Sequence, residues 1–219
     1  MISTISWAIF FSACTTIVLT LNLNHLKQGK HLVQALYFLF KPLTSFLILT
    51  LAYFIMPEGT AKNWMLLALI FCLIGDIALM FDGDKPFMAG LLAFLIGHGL
   101  FIAVFLKWQP DWLLPAWWPI MAIYALVMLI WLLPRTGKLA PAVFVYMAVI
   151  FMMAFAAANV SPAIGWHGKP LLMLGALLFV LSDSILAIDR FIKPLPLGHA
   201  LTLATYFSAL WCIVVGGSA

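Results

Sequence analysis

The sequence predicts an all-α integral membrane protein with about eight transmembrane helices. Of its 219 residues, 66% are hydrophobic and only 8% are charged, which is not the composition of a soluble globular domain. A bilayer core requires roughly 20 apolar residues per helix, and the chain divides into about eight such stretches with short polar joints between them. We therefore expect a single polytopic transmembrane domain over residues 1–219.

The first predicted span, residues 4–21, is interpreted as a retained helix. It has no basic segment before it and no convincing cleavage site, which disfavours a signal peptide. The other predicted spans are 33–55, 64–81, 87–106, 115–133, 140–160, 170–188 and 199–216. Breaker and charged residues mark the joints, as in Asp82-Gly83-Asp84-Lys85-Pro86 and Lys193-Pro194-Leu195-Pro196.

Basic residues are distributed unevenly between alternate joints, and this bias predicts the orientation. The richer face carries Lys27, Lys30, Lys85, Arg135, Lys138, Arg190 and Lys193, and the poorer face carries Lys62, Lys107 and Lys169. The richer face is predicted to be cytoplasmic, so both termini would lie on the other side, as in a bacterial inner-membrane protein. The net charge of +4 thus reports orientation, and no nucleic-acid partner is predicted.

The cysteines and histidines predict neither a disulfide framework nor a metal centre. Cys14, Cys72 and Cys212 are scattered through apolar spans without paired spacing. The histidines do not place three of their number at one depth, as a zinc hydrolase requires. We expect no metal site.

Ionisable side chains inside the spans mark the candidate site, because a charge in hydrocarbon is costly unless it is paired or hydrated. These side chains are Lys41, Asp76, His98 and Asp183. With a helical rise of about 1.5 Å per residue, Asp76 and Asp183 both lie roughly 8 Å inside the cytoplasmic ends of their spans. The two carboxyl groups are therefore predicted to share a depth.

Other polar groups fall in the same layer, roughly 9 to 12 Å from that face: Lys41, Tyr146 and Tyr206. Gly75 precedes Asp76 and Ser182 precedes Asp183, and small residues let helices approach closely. Two carboxyl groups in one apolar pocket seldom both ionise. We expect one to stay protonated and the other, held by Lys41, to remain an anion, which supplies an acid and a base.

His98 lies near the predicted midplane and fits a proton relay, a substrate contact or a hydrogen-bonded core residue. The whole cluster also has a structural interpretation, in which Lys41 neutralises one aspartate and the polar groups hold the helices together. A second carboxylate without a second cation inside the spans favours a function.

Several short segments, taken in order, resemble the YhhN-like family of membrane proteins, which includes the lysoplasmalogenases. They are Lys41-Pro42 in span two, Gly75–Leu79 in span three, Phe94–His98 in span four, Tyr146 in span six, and Gly175–Phe179 with Ser182–Ala187 in span seven. Where relatives often carry a tyrosine after the span-four histidine, this chain has Phe101.

The resemblance implies an enzyme that hydrolyses the vinyl ether bond of a lysoplasmalogen, releasing a fatty aldehyde and glycerophosphoethanolamine or glycerophosphocholine. Asp76 and Asp183 would protonate carbon and deliver water, and no metal or organic cofactor would be required. The supporting or substrate-binding residues would be Lys41, His98, Tyr146, Ser182 and Tyr206. The lysophospholipid would enter from the membrane lipids, and its head group would meet basic residues near the surface: Lys30, Lys85, Arg190 or Lys193.

Three other functions fit the same residues. A proton-coupled transporter or carrier also uses paired acids, a lysine and broken helices at one depth. An intramembrane aspartyl protease is disfavoured because Gly75-Asp76 lacks the Gly-x-Gly-Asp pattern of the known class. A protein without turnover, in which the acids only pair with Lys41, is the third alternative.

Overall fold

A computed structural model describes residues 2–25, 30–108, 116–160 and 168–218, and within these ranges the chain is helical, without strands. Its α-helices are α1 (Ile2–His25), α2 (Lys30–Ile55), α3 (Thr60–Ala78), α4 (Asp84–Lys107), α5 (Trp118–Leu132), α6 (Ala140–Ala158), α7 (Gly168–Phe191) and α8 (Gly198–Gly216). Two short 3-10 turns, Leu133–Arg135 and Gly137–Leu139, join α5 to α6. Each α-helix contributes to a segment long and apolar enough to cross a membrane. The predicted all-α integral membrane class is confirmed, whereas the orientation stays a prediction.

Several helix ends differ from the predicted boundaries. Asp84 begins α4 instead of lying in a joint, because Gly83 adopts a φ of 116° that lets the chain turn sharply into the helix. Pro86 is tolerated in the first turn, where its missing N–H would have no intrahelical partner. Helix α7 continues beyond the predicted end at residue 188 to Phe191. Asp189 and Arg190 therefore lie in its last turn and not in the following joint.

Six helices close a ring by contacting one another in the order α2, α3, α4, α6, α7 and α8, with α8 returning to α2. The remaining two helices lie outside this ring. Helix α1 packs against α2 and α8, and α5 packs more loosely against α6 and α7. The ring carries the ionisable residues that were predicted inside the spans, while the outer helices present apolar side chains such as Phe11 and Ile120 to the bilayer.

Two helix pairs of the ring are held close by glycines. A Cβ atom on Gly75 of α3 would lie 2.6 Å from the ring of Phe94 on α4, and one on Gly175 of α7 would lie 2.8 Å from the carbonyl oxygen of Ala209 on α8. Neither contact leaves room for a larger residue. Each close pair carries one aspartate on its first helix, Asp76 on α3 and Asp183 on α7.

Candidate active site

Asp76 is enclosed by donors from two other helices. Its Oδ2 atom accepts a hydrogen bond of 2.5 Å from Ser45 Oγ on α2 and one of 2.7 Å from Tyr206 OH on α8. Lys41 Nζ, also on α2, lies 3.9 Å from the other carboxylate oxygen. Only 3% of the Asp76 side chain is exposed. Two hydroxyl donors and one ammonium group therefore favour an anion at this position.

Asp183 has fewer partners and a more open surrounding. Tyr146 OH on α6 donates a 2.5 Å hydrogen bond to its Oδ2 atom, and His98 Nε2 on α4 lies 3.8 Å from the same oxygen. The side chain is 16% exposed. No lysine or arginine of the described residues forms an ion pair with it. This carboxyl group is thus held in place without a neighbouring fixed cation.

His98 is completely buried behind Asp183. Its Nδ1 atom lies 2.5 Å from the carbonyl oxygen of Phe94, which only accepts, so Nδ1 carries the proton. The Nε2 atom has no hydrogen-bond partner in the described part of the chain, although it faces Asp183. A neutral imidazole with this tautomer presents a lone pair towards the carboxyl group.

The two carboxyl groups line one polar cavity of about 340 Å³ between α2, α3, α4, α7 and α8. Representative lining residues are Lys41, Asp76, Asp183, Arg190, His199 and Thr202. Exposed residues of the 79–83 and 192–197 joints, namely Asp82, Gly83 and Pro194, line the cavity, and we take this end of the bundle as its mouth. Its volume falls in the range of roughly 300 to 1,000 Å³ that small-molecule sites occupy.

An apolar cleft meets this cavity at Asp183. The cleft lies between α4, α6 and α7 and is covered on its outer side by Met128 and Leu132 of α5. Val143, Met147 and Ile150 of α6 form much of its wall. Five residues line both spaces, and Asp183 is the polar one among them; the others are Leu79, Phe87, Phe94 and Leu186. The carboxyl group therefore lies at the boundary between the polar cavity and the apolar cleft.

Aromatic rings join the surroundings of the two carboxyl groups. The Phe179 ring lies edge-on to Tyr206, 5.4 Å away between centroids, and to His98, 4.5 Å away. Phe94 is likewise edge-on to Tyr206 at 5.7 Å. The ring of Tyr206, whose hydroxyl group donates to Asp76, and the ring of His98 are therefore both packed against aromatic neighbours.

The structure gathers the predicted residues into two separate sets. Lys41 and Tyr206 serve Asp76, and Tyr146 and His98 surround Asp183. Ser182 belongs to neither set. Its Oγ atom donates a 3.0 Å hydrogen bond to the carbonyl oxygen of Thr202 and so links α7 to α8.

Sequence reasoning missed Ser45 and Thr202. Ser45 lies one helical turn after Lys41, and Thr202 lies one turn before Tyr206, so each shares a helix face with a residue that was identified. An (i, i+4) search from the predicted residues would have found both, but a hydroxyl in a span is too common to attract notice alone.

The basic residues proposed to contact the head group differ in whether they line the polar cavity. Arg190 lines the polar cavity and donates a 2.7 Å hydrogen bond to Asp84 Oδ1. Lys85 and Lys193 are exposed and do not line the cavity. The side chain of Lys30 lies outside the described residues. Across the described ranges, no group of three His, Cys, Asp or Glu side chains is arranged to hold a metal ion; the absence of a metal requirement stays a prediction.

Comparisons with known proteins agree with the resemblance. The sequence pattern of the YhhN family matches residues 36–217. Lysoplasmalogenase TMEM86A of Bos taurus is 31% identical over 166 residues, which cover 74% of this chain and 68% of the relative. Lysoplasmalogenase TMEM86B of Sus scrofa is 32% identical over 144 residues (65% and 58%), and that of Homo sapiens is 30% identical over 155 residues (70% and 62%). The chain thus spans between 58% and 68% of these relatives' lengths. No solved structure matches it.

Proposed function

Because the chain belongs to the YhhN family, we propose that it is an intramembrane lipid hydrolase that cleaves the vinyl ether bond of lysoplasmalogens to a fatty aldehyde and glycerophosphoethanolamine or glycerophosphocholine. The relatives named above are lysoplasmalogenases. We take their activity as the premise and assign its steps to this chain's own residues.

The observation that carries the proposal is the position of Asp183 at the junction of the polar cavity and the apolar cleft. A lysoplasmalogen has a polar head, one hydrocarbon chain and a vinyl ether where the two meet. With its head in the cavity and its chain in the cleft, the substrate brings the vinyl ether to Asp183. The mouth faces the side that the basic residues predict to be cytoplasmic.

We assign Asp183 as the acid. The lone pair on His98 Nε2 would repel a carboxylate at 3.8 Å, whereas a protonated carboxyl group is compatible with it. The absence of an ion-pairing lysine or arginine among the described residues also favours the neutral form. A neutral carboxyl group beside an apolar cleft is suited to protonate a carbon atom.

We assign Asp76 as the base, since its two hydroxyl donors and Lys41 favour the anion. Both aspartates line the same cavity, so a water molecule between them has an acid on one side and a base on the other. The room for such a water is ample, because one occupies only about 30 Å³ of liquid volume.

The reaction then balances with water as the only co-reactant. Asp183 transfers its proton to the vinyl carbon remote from oxygen, which leaves an oxocarbenium ion. Water loses a proton to Asp76 as it bonds to the cationic carbon, giving a hemiacetal. The bond from that carbon to the glycerol oxygen breaks, Asp76 returns its proton to the departing oxygen, and the hemiacetal hydroxyl returns a proton to Asp183 as the aldehyde forms.

The test uses detergent-solubilised protein with lysoplasmenyl-ethanolamine in D₂O. Carbon protonation predicts an aldehyde that carries one deuterium next to the carbonyl carbon, and the saturated 1-O-alkyl analogue should release nothing. Turnover without a sealed compartment also separates hydrolysis from proton-coupled transport. A well-folded protein that releases no aldehyde from lysoplasmenyl-ethanolamine or lysoplasmenyl-choline would overturn the proposal.

A further inference from the structure

Thr202 of α8 carries a buried hydroxyl group without a partner. The residue is 9% exposed and lines the polar cavity, and its Oγ1 atom forms no hydrogen bond within the described ranges. A buried hydroxyl group costs free energy unless it is hydrogen-bonded. Because Thr202 lines the cavity, a molecule bound in the cavity is the candidate partner for this hydroxyl group.

The backbone at Thr202 is fixed, so the hydroxyl group has a defined place. The carbonyl oxygen accepts hydrogen bonds from Ser182 Oγ at 3.0 Å and from Thr205 Oγ1 at 3.1 Å. About two turns further along α8, Gly175 of α7 lies close to Ala209. A hydroxyl group on such a rigid wall is suited to read one position of a ligand.

Three residues of α8 form a line from the mouth of the cavity to Asp76. His199, Thr202 and Tyr206 are spaced three and four residues apart and so share one helix face. His199 lies at the outer end, where its Nε2 is 2.8 Å from Tyr37 OH, and Tyr206 contacts Asp76 at the inner end. Thr202 is about 6 Å nearer the mouth than Tyr206 along the helix axis.

This spacing matches the order of groups in the proposed substrate. The vinyl ether must lie at the carboxyl groups, and the phosphate must lie towards the mouth, near Arg190 and His199. The free hydroxyl group on the central glycerol carbon comes between them. Resting on the proposed function, we infer that Thr202 hydrogen-bonds this free glycerol hydroxyl and is a specificity residue for lysolipids.

Thr202→Val removes the hydroxyl group while nearly keeping the side-chain shape, and Thr202→Ser keeps the hydroxyl group as the matched control. We expect the valine variant to lose about tenfold in kcat/KM on lysoplasmenyl-ethanolamine, the size of one neutral hydrogen bond. The serine variant should stay within about twofold of the parent. Thermal unfolding checks that each variant is folded.

A second substrate isolates the contact. The 2-deoxy analogue lacks the central hydroxyl group, and the parent should hydrolyse it about tenfold more slowly than lysoplasmenyl-ethanolamine. Thr202→Val should hydrolyse the two lipids at equal rates, because the contact is already lost. Equal rates of the parent on both lipids, or equal losses by the variant on both, would overturn the inference. The comparison of the two lipids with the parent alone can still overturn the inference if the valine variant does not fold.

Failure of the proposed function is separable from failure of this inference. If the parent releases no aldehyde, binding is measured by thermal shift with saturated 1-O-alkyl-lysophosphatidylethanolamine and its 2-deoxy analogue. A larger shift with the hydroxyl-bearing lipid in the parent, but not in Thr202→Val, supports the contact by itself. Equal shifts in the parent would reject it.

Discussion

The two carboxyl groups of the candidate site differ in how completely the protein surrounds them. Asp76 accepts two hydroxyl hydrogen bonds, faces Lys41 and is 3% exposed. Asp183 accepts one hydroxyl hydrogen bond, faces an unpartnered imidazole nitrogen and is 16% exposed. Two carboxyl groups predicted to lie at the same depth therefore have different surroundings, and the proposed assignment of an acid and a base follows from that difference.

The largest effect is expected from Asp76→Asn, which removes the anion and leaves Lys41 buried without its counter-charge. Breaking a buried pair costs roughly 3 to 5 kcal/mol, so both aldehyde release and thermal stability should fall. The double variant Asp76→Asn/Lys41→Met should regain stability in a thermal unfolding assay and remain inactive. Recovery of activity in the double variant would mean that Asp76 only compensates the lysine.

Asp183→Asn should separate activity from stability. Asparagine still accepts the hydrogen bond from Tyr146 but has no acidic proton, so kcat should fall by roughly 10²- to 10⁴-fold. The unfolding temperature should stay close to that of the parent. Steady-state aldehyde release and thermal unfolding measure the two quantities, and retained turnover would exclude Asp183 as the acid.

The tyrosine pair offers a matched comparison, because Tyr146→Phe and Tyr206→Phe each remove one hydroxyl group. Tyr146 is the sole hydroxyl donor to Asp183 among the described residues, whereas Ser45 and Lys41 remain at Asp76 when Tyr206 changes. We expect kcat to fall about tenfold for Tyr146→Phe and less for Tyr206→Phe, consistent with one hydrogen bond. The opposite ranking in parallel rate measurements would contradict the assigned roles.

The smallest effect is expected from His98→Phe, which keeps a ring of similar shape. The change removes the unpartnered Nε2 atom, which favours stability, and also the Nδ1 donor to the Phe94 carbonyl oxygen, which opposes it, so stability should change little. Aldehyde release should fall several-fold if His98 helps keep Asp183 protonated. A fall in both stability and rate would assign His98 a packing role instead.

Much of the fold was predictable from the sequence. For the site, only the depth of each side chain along its helix was predictable. Hydropathy and breaker residues locate helices well, because each span must satisfy its own backbone in lipid. Counting residues from the span ends gives the depth of Asp76, Asp183 and Tyr146. Depth, however, does not give the position of a side chain around the bundle.

The order of the helices in the ring determines the position of each side chain around the bundle. Asp76 on α3 takes Tyr206 from α8, and Asp183 on α7 has His98 from α4. These pairings depend on contacts between helices that are far apart in sequence. Without a pattern that encodes such contacts, the chain alone does not reveal which tyrosine serves which aspartate.

The distribution of donors along the chain bears on the biogenesis of the protein. Lys41 and Ser45 are synthesised before Asp76, and His98 and Tyr146 before Asp183, so each acid leaves the ribosome after a polar partner already exists. A nascent span that carries a lone carboxyl group would resist entry into lipid. Tyr206 is synthesised after Asp76, so the growing chain completes the Asp76 site only when α8 inserts.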